Sequence, residues 1–168
     1  MINYEPLKPT LLLSLHPENT AAIVAGDKVI EYRRRFFTDP FQAFVYTTGR
    51  SGGIDLFISC DRPIQGNAQM LAAIGAEIQH DDYHEIQAYF AARDSGLIMP
   101  ITSWARLPLL SLATLREKFS NFITPQGYTF LDRPERVAQR DFLLNQPVLE
   151  HGTIDWESKY QAINKMSD

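Results

Sequence analysis

The stretch GDKVIEYRRRFF, residues 26–37, contains a lysine, a glutamate and three successive arginines. Successive side chains of an extended strand point to opposite faces, so Glu31, Arg33 and Arg35 are predicted to share one face, while apolar neighbours occupy the other. Lys28 can join the charged face if it lies in a turn after Gly26, where the backbone is not yet extended. Such a group could act as a base, as a fixed charge, or as a ligand for a phosphate or a base edge.

A second interpretation of this stretch requires no ligand. Exposed strands commonly alternate Glu and Arg, and their surface ion pairs contribute only about 0 to 1 kcal/mol. The charged face would then simply be solvated. Under either interpretation, a lysine in a turn adds little to core packing, so replacing Lys28 with alanine is expected to leave the fold intact.

Further polar candidates follow in the segment VYTTGRSGG. Tyr46, Thr47, Thr48 and Ser51 could each supply a hydroxyl group, and Arg50 could contact a phosphate from the glycine-rich loop. Thr and Tyr also favour strands, and Ser favours turns, for structural reasons alone. We expect this segment to lie beside the charged group.

Other residue patterns have structural explanations. His80 and His84 are four residues apart among acidic neighbours, but Asp82 is better explained as a helix cap than as a metal ligand. Cys60 is the only cysteine, and its apolar neighbours predict a buried thiol. Trp104 could stack on a base, although a large aromatic side chain on a strand normally packs inward. We therefore predict no metal and no cofactor.

Composition limits the class of protein. A chain of 168 residues with 45% apolar residues can bury one sizeable core. The net charge is −4, which argues against nonspecific binding of polyanions, so any contact with nucleic acid must come from a local patch. No apolar run approaches the roughly 18 residues of a membrane span, and the start MINYEPLKPT lacks a basic leader. These features predict a soluble, cytoplasmic protein.

The predicted elements of the first half begin with a buried strand, TLLLSL. A short helix follows, with Pro17 in its first turn and Gly26 at its end. The charged stretch and the segments QAFVYTT and IDLFISC are the next three strands. Two helices come next, one after Asn67 and one capped by Asp82.

The second half is predicted to contain fewer strands. GLIMPITSWARL is typical of a strand despite Pro100, which favours an edge position or a bulge. SLATLREKF is a one-faced helix, and PQGYTFL turns into a last short strand. The remainder predicts two amphipathic helices, one opening at Pro134 and one with Trp156 and Tyr160 on a single side.

The charged stretch also resembles a known signature. GDKVIEYR is similar to the G-x-K-x-x-E-x-R motif of ASCH domains, which belong to the PUA-like superfold. LLLSLHPENTAAIVAG, FVYTTG, GLIMPI and ITPQGYTFL resemble other parts of bacterial members, so the resemblance covers roughly residues 10–131. It implies an α+β fold, a small mixed PUA-like β-barrel with flanking helices, and recognition of RNA or a nucleotide in a cleft over the signature.

One branch of this family cannot be matched in full. The acetylcytidine amidohydrolases are expected to pair the signature lysine with a threonine nucleophile and a separate glutamate. This chain has Lys28, but Glu31 stands where that threonine would be. The threonine mechanism is therefore not carried over, and no turnover of acetylated nucleosides is expected.

These observations predict an ASCH/PUA-like domain in residues 1–131 and a C-terminal helical extension in residues 132–168, packed on the core. The leading hypothesis is a module that binds RNA or a nucleotide. Its candidate ligand-binding residues are Lys28, Glu31, Arg33, Tyr46, Thr47 and Arg50. One alternative is a hydrolase of modified nucleosides or RNA with Lys28 as base and Glu31 as its partner, and another is a protein-interaction module. The sequence leaves open whether the protein is an enzyme.

Overall fold

A computed structural model describes residues 1–167 of the chain. Within that range the protein is an α+β fold of one eight-stranded sheet and six helices. The strands are β1 (Thr10–Leu15), β2 (Ile30–Arg33), β3 (Phe41–Thr47), β4 (Gly53–Cys60), β5 (Ile64–Gly66), β6 (Gly96–Ser111), β7 (Tyr128–Phe130) and β8 (Glu150–Thr153). The helices are α1 (Pro17–Ala25), α2 (Ala68–Gln79), α3 (Tyr83–Phe90), α4 (Leu112–Lys118), α5 (Val137–Leu144) and α6 (Trp156–Met166).

The sheet is a curled half-barrel. Its strand order is β2-β6-β4-β3-β1-β7, and β5 and β8 add further pairings to β6. β1 and β3 are parallel, whereas the other pairs are antiparallel. Among the described residues β2 and β7 do not pair with each other, so the barrel stays open on that side. The predicted α+β class is confirmed, with a half-barrel instead of a closed one.

The long strand β6 organises the sheet. Its first residues pair with β2 and β5, and the residues after Pro100 pair with β4 and β8. The register with β4 shifts between Ser59 and Cys60, whose partners are Ser103 and Ile101, as in a β-bulge. A bulge beside Pro100 was one of the two predicted explanations. The other was wrong, because β6 lies inside the sheet and not at its edge.

Three apolar clusters make up the core. Cluster 1 is formed mainly by β1, β3, β4 and β6, and it includes Cys60. Burial raises the pKa of the Cys60 thiol well above its usual range, as expected for an inert buried thiol. Cluster 2 extends from the sheet to α4 and α5, and cluster 3 joins the start of β2 to α2, α3 and α6. Trp104 packs against cluster 1, in agreement with its predicted place in the core.

The C-terminal segment shares these clusters. Both predicted helices are present, although the first begins at Val137 instead of Pro134. Strand β8 was not predicted, because EHGT shows no apolar alternation, and it pairs with Ser103–Arg106 of β6. Leu143 lies in cluster 2 and Trp156 in cluster 3. The division at residue 131 stays a prediction. None of the helices in residues 1–167 combines the length and hydropathy that crossing a membrane requires.

Candidate functional site

The turn after α1 places the signature lysine. Gly26 ends the helix with a left-handed backbone, φ 86°, a conformation that favours glycine. The backbone N–H of Lys28 donates to the carbonyl of Ala22 at 3.0 Å, which folds the chain back onto the helix. Lys28 therefore lies in the turn and not in β2, and its side chain can reach the face that Glu31 occupies.

The three signature side chains converge. Lys28 Nζ lies 3.4 Å from Glu31 Oε1, and Arg33 Nη2 lies 3.4 Å from Glu31 Oε2. The backbone N–H of Tyr32 also donates to Glu31 Oε1 at 3.0 Å. Lys28 and Glu31 are only 8% and 9% exposed. This is the geometry that the spacing predicted, whereas the burial is greater than a solvated strand would show.

The end of α2 holds the signature segment from the other side. The backbone N–H groups of Val29 and Ile30 both donate to Gln79 Oε1, at 2.7 and 2.8 Å. Gln79 Nε2 donates to Asp81 Oδ2 at 2.8 Å, and the Tyr32 hydroxyl donates to the same oxygen. Burial and this Asp81 contact raise the pKa of Tyr32. Sequence reasoning missed Gln79 and Asp81, because neither shows a recognisable spacing to the signature.

Arg33 connects the two sides of the open half-barrel. Its Nη2 donates to the carbonyl of Ser14 on β1 at 3.2 Å. The Ser14 hydroxyl in turn donates to the carbonyl of Pro125 at 2.7 Å, and the Ser14 backbone N–H donates to Gly127. The loop 125–127 is thereby tied to β1 and lies opposite the signature.

A cleft of about 890 Å³ lies between these elements. Its volume is in the range of pockets that hold small organic ligands. The lining residues come from the end of β1 and the start of α1, the signature turn and β2, the α2–α3 connection, α3, and the loop before β7. They include the charged side chains of Asp27, Lys28, Glu31, Arg33, Asp81, Asp82 and Glu85, and the ring of Tyr89.

The charge of the cleft is unequal. Two cations, Lys28 and Arg33, face five carboxylates in the lining. The carboxylates are Asp27, Glu31, Asp81, Asp82 and Glu85. Asp82 and Glu85 are exposed at the start of α3, where Asp82 accepts the backbone N–H of Glu85 at 3.0 Å and caps the helix as predicted. Such a lining disfavours a highly charged phosphate group, whereas it offers both donors and acceptors to a neutral polar ligand.

The structure does not bring the remaining candidate residues into this cleft. Tyr46 is 5% exposed and packs with cluster 2. The Thr47 hydroxyl lies 3.0 Å from that of Thr20 and donates to Asp55 Oδ1 at 3.3 Å. Arg50 is exposed in the loop after β3. None of these three residues lines the cleft, and a ligand contact by them stays a prediction.

The hydroxyl group of Thr48, the residue after Thr47, does reach the cleft. Thr48 lies in its lining, and its Oγ1 is 3.2 Å from His16 Nδ1.

The two histidines considered as metal ligands lie near the start of α3. His80 ends α2 with a left-handed backbone, and His84 is exposed on α3. In residues 1–167 no three His, Cys, Asp or Glu side chains are placed so that they could hold one metal ion together.

Comparison with known proteins assigns the chain to a family. No family model matches it. An ASCH domain-containing ribonuclease from Zymomonas mobilis is 30% identical over 141 residues, which cover 77% of this chain and 89% of that protein. The chain therefore belongs to the ASCH family.

Solved structures agree on the fold. The crystal structure of ASCH from Zymomonas mobilis matches with a TM-score of 0.69 and 23% identity, over 83% of this chain and 96% of that one. A serine-to-alanine variant of the Zymomonas mobilis protein matches with a TM-score of 0.70 and 23% identity, over 85% and 100% of the two chains. The predicted family and fold are thus confirmed.

Proposed function

We propose that this protein binds RNA and holds one nucleoside unit of it, a base with its ribose, in the cleft. The observation that carries the proposal is the buried group of Lys28, Glu31 and Arg33 in a cleft of about 890 Å³. Buried ion pairs are costly to maintain, and they occur often where a ligand is recognised. The ribonuclease name of the Zymomonas mobilis relative supports RNA as the class of ligand.

The hydrogen-bonding capacity of this group suits a base. An ammonium group has three donors and a guanidinium five. Glu31 Oε2 and the Ser14 carbonyl both accept from Arg33 Nη2, and Lys28 forms an ion pair with Glu31 at 3.4 Å. The remaining donors of Lys28 and Arg33 are suited to carbonyl oxygens or ring nitrogens of a base. Carboxylates such as Asp82 and Glu85 are suited to exocyclic amino groups.

Arg33→Ala tests this proposal. We expect the binding free energy for a short single-stranded RNA to become less favourable by about 1 to 3 kcal/mol. The reason is that the variant removes hydrogen-bond donors to a base edge in a partly desolvated cleft. The measurement is a fluorescence anisotropy titration with a labelled RNA octamer of mixed sequence. Thermal unfolding of the variant would establish that it is folded.

Arg116→Ala is the matched control. Arg116 is exposed on α4 and does not line the cleft. This substitution should leave the affinity unchanged within about twofold, as expected for an arginine outside the binding site. Equal losses from the two variants would mean that binding is diffuse and that the cleft is not the site.

A second candidate function is cleavage of the bound RNA, and the ribonuclease name of the relative is the observation that favours it. In this mechanism the neutral form of Lys28 takes the proton of a ribose 2′-hydroxyl, whose oxygen attacks the adjacent phosphorus, and Glu31 holds Lys28 in place. The bond from phosphorus to the 5′ oxygen of the next nucleotide breaks, and that oxygen takes a proton from water. The Lys28–Glu31 distance of 3.4 Å fits such a pair.

Lys28→Arg separates cleavage from binding. Arginine keeps the positive charge opposite Glu31, but it does not lose its proton in proteins. We expect the variant to bind the RNA octamer and to cleave it at least about 100-fold more slowly than the wild type, the scale of general-base catalysis. Product formation would be followed by gel electrophoresis of end-labelled RNA. Unchanged cleavage by Lys28→Arg, or none by the wild type, would rule out this second function.

A further inference from the structure

Three successive arginines diverge at the end of β2. The strand ends at Arg33, and the chain bends at Arg34 and Arg35, so the alternation of an extended strand does not continue. Arg33 lies in the cleft, whereas Arg34 and Arg35 are exposed outside it. The prediction that Arg33 and Arg35 share one face therefore fails where the strand ends.

Arg34 is held in place by α3. Its guanidinium carbon lies 3.9 Å from the centre of the Tyr89 ring, and its Nε donates to the Tyr89 carbonyl at 2.9 Å. Neither contact neutralises its charge. Among residues 1–167 no carboxylate forms a salt bridge with Arg34 or Arg35, and no side-chain hydrogen bond involves Arg35.

These two arginines line a second, smaller pocket of about 360 Å³. Its lining is otherwise uncharged and comprises Phe36, Gln65, Gly66, Ser95, Gly96 and Leu97. Tyr89, under the Arg34 side chain, belongs to the lining of the cleft. Arg34 thus connects the cleft to the second pocket, which we call the arginine pocket.

The two sites have opposite electrostatic character. The five carboxylates and two cations of the cleft disfavour a highly charged phosphate group, whereas the arginine pocket carries only positive charge on a chain of net charge −4. A polynucleotide has both kinds of group along its length. Its base and ribose suit the cleft, and its phosphodiester groups suit exposed arginines.

We propose that Arg34 and Arg35 bind the phosphate backbone of the RNA strand next to the nucleoside in the cleft. The ligand is then a polynucleotide strand and not a free nucleoside. This inference rests on the proposed function, because it places the strand by the nucleoside that the cleft holds. It also explains why an acidic chain keeps two exposed arginines without carboxylate partners beside its signature.

The test compares an oligonucleotide with free nucleosides. In Arg34→Gln/Arg35→Gln, the Kd for a labelled RNA octamer of mixed sequence should rise about tenfold in 50 mM salt, and the slope of log K against log salt should become shallower by about 1.4, or 0.7 per lost phosphate contact. NMR shifts that a mixture of the four nucleosides induces in the Lys28–Arg33 amides should stay as in the wild type. Arg35→Gln alone should change the slope by about 0.7, and it disturbs no hydrogen bond of Arg34.

A control variant removes the same charge elsewhere. Arg116→Gln/Lys118→Gln changes two exposed cations of α4, outside both pockets, and should leave octamer binding unchanged within about twofold. The inference would be overturned by an equal loss of octamer affinity in this control or by an unchanged salt slope in the Arg34/Arg35 variant. It would also be overturned if an oligoglutamate peptide displaced the octamer as readily as unlabelled RNA does. If the nucleosides induce no NMR shifts in the wild type and the octamer does not bind to it, the proposed function is overturned, and the inference with it.

Discussion

Replacing Glu31 with alanine is expected to lower the free energy of unfolding by about 3 to 5 kcal/mol. The carboxylate forms an ion pair with Lys28 and accepts from Arg33 and from the backbone N–H of Tyr32, and the side chains of Lys28 and Glu31 are only 9% and 11% exposed. Removing one partner of a buried ion pair costs several kcal/mol of folding free energy, because the other charge stays buried without an opposite charge beside it. Urea denaturation followed by circular dichroism would measure the change.

An exposed ion pair provides the control. Arg106 and Glu150 also form a salt bridge, but their side chains are 43% and 54% exposed. Glu150→Ala should therefore cost no more than about 1 kcal/mol. Combining Glu31→Ala with Lys28→Met should destabilise less than the sum of the single variants, because the double variant leaves no buried ammonium behind. A cost below about 1 kcal/mol for Glu31→Ala would show that water reaches the group freely.

The same burial changes what is expected of Lys28. The sequence predicts that replacing Lys28 with alanine leaves the fold intact, because a turn lysine adds little to packing. Lys28 instead lies in a buried ion pair with Glu31, so its removal would leave the Glu31 carboxylate without that partner. For that reason, Lys28→Arg is the more informative test of catalysis. It keeps the charge that Glu31 requires.

Trp156→Ala is expected to destabilise the protein by about 3 to 5 kcal/mol, the cost of truncating a large buried aromatic side chain. Trp156 is 5% exposed in cluster 3, beside Val29 and Ile30 of the signature segment. Its Nε1 donates to the carbonyl of Ile101 on β6 at 2.7 Å. The same urea denaturation experiment would measure the loss.

Two variants calibrate this result. Trp156→Phe keeps most of the ring packing and loses the hydrogen bond, so its cost should be about 1 to 3 kcal/mol. Met166→Ala, at an exposed position of the same helix, should change stability by about 0.5 kcal/mol or less. A small effect of Trp156→Ala would indicate that residues 132–168 are a loosely attached extension. The large effect would indicate one cooperative unit with the half-barrel.

Local patterns were sufficient for most of the elements. Pro17 suits the first position of α1 because it has no N–H to leave unsatisfied, and Gly26 ends the helix with a left-handed backbone. Asn67 and Asp82 cap α2 and α3 because their side chains accept a backbone N–H of their own helix. The spacing of Lys28, Glu31 and Arg33 likewise predicted their convergence. Each of these features depends on residues within a few positions of one another, which is the range over which sequence patterns report reliably.

The features that the sequence did not predict depend on contacts between distant residues. Gln79 holds the signature segment from about 50 positions away, and β8 becomes a strand only because β6 offers it a pairing edge. Tyr46 and Thr47 pair with Ser14 and Leu15 of β1, but neither residue lines the cleft. By itself, the sequence determined the two ends of α1, the N-terminal caps of α2 and α3, the class of fold and the charged group of the signature. Only the tertiary structure decided that this group is buried, that carboxylates from the α2–α3 connection and from α3 line the same cleft, and that Arg34 and Arg35 lie outside it. Those outcomes depend on which distant segments fold against β2.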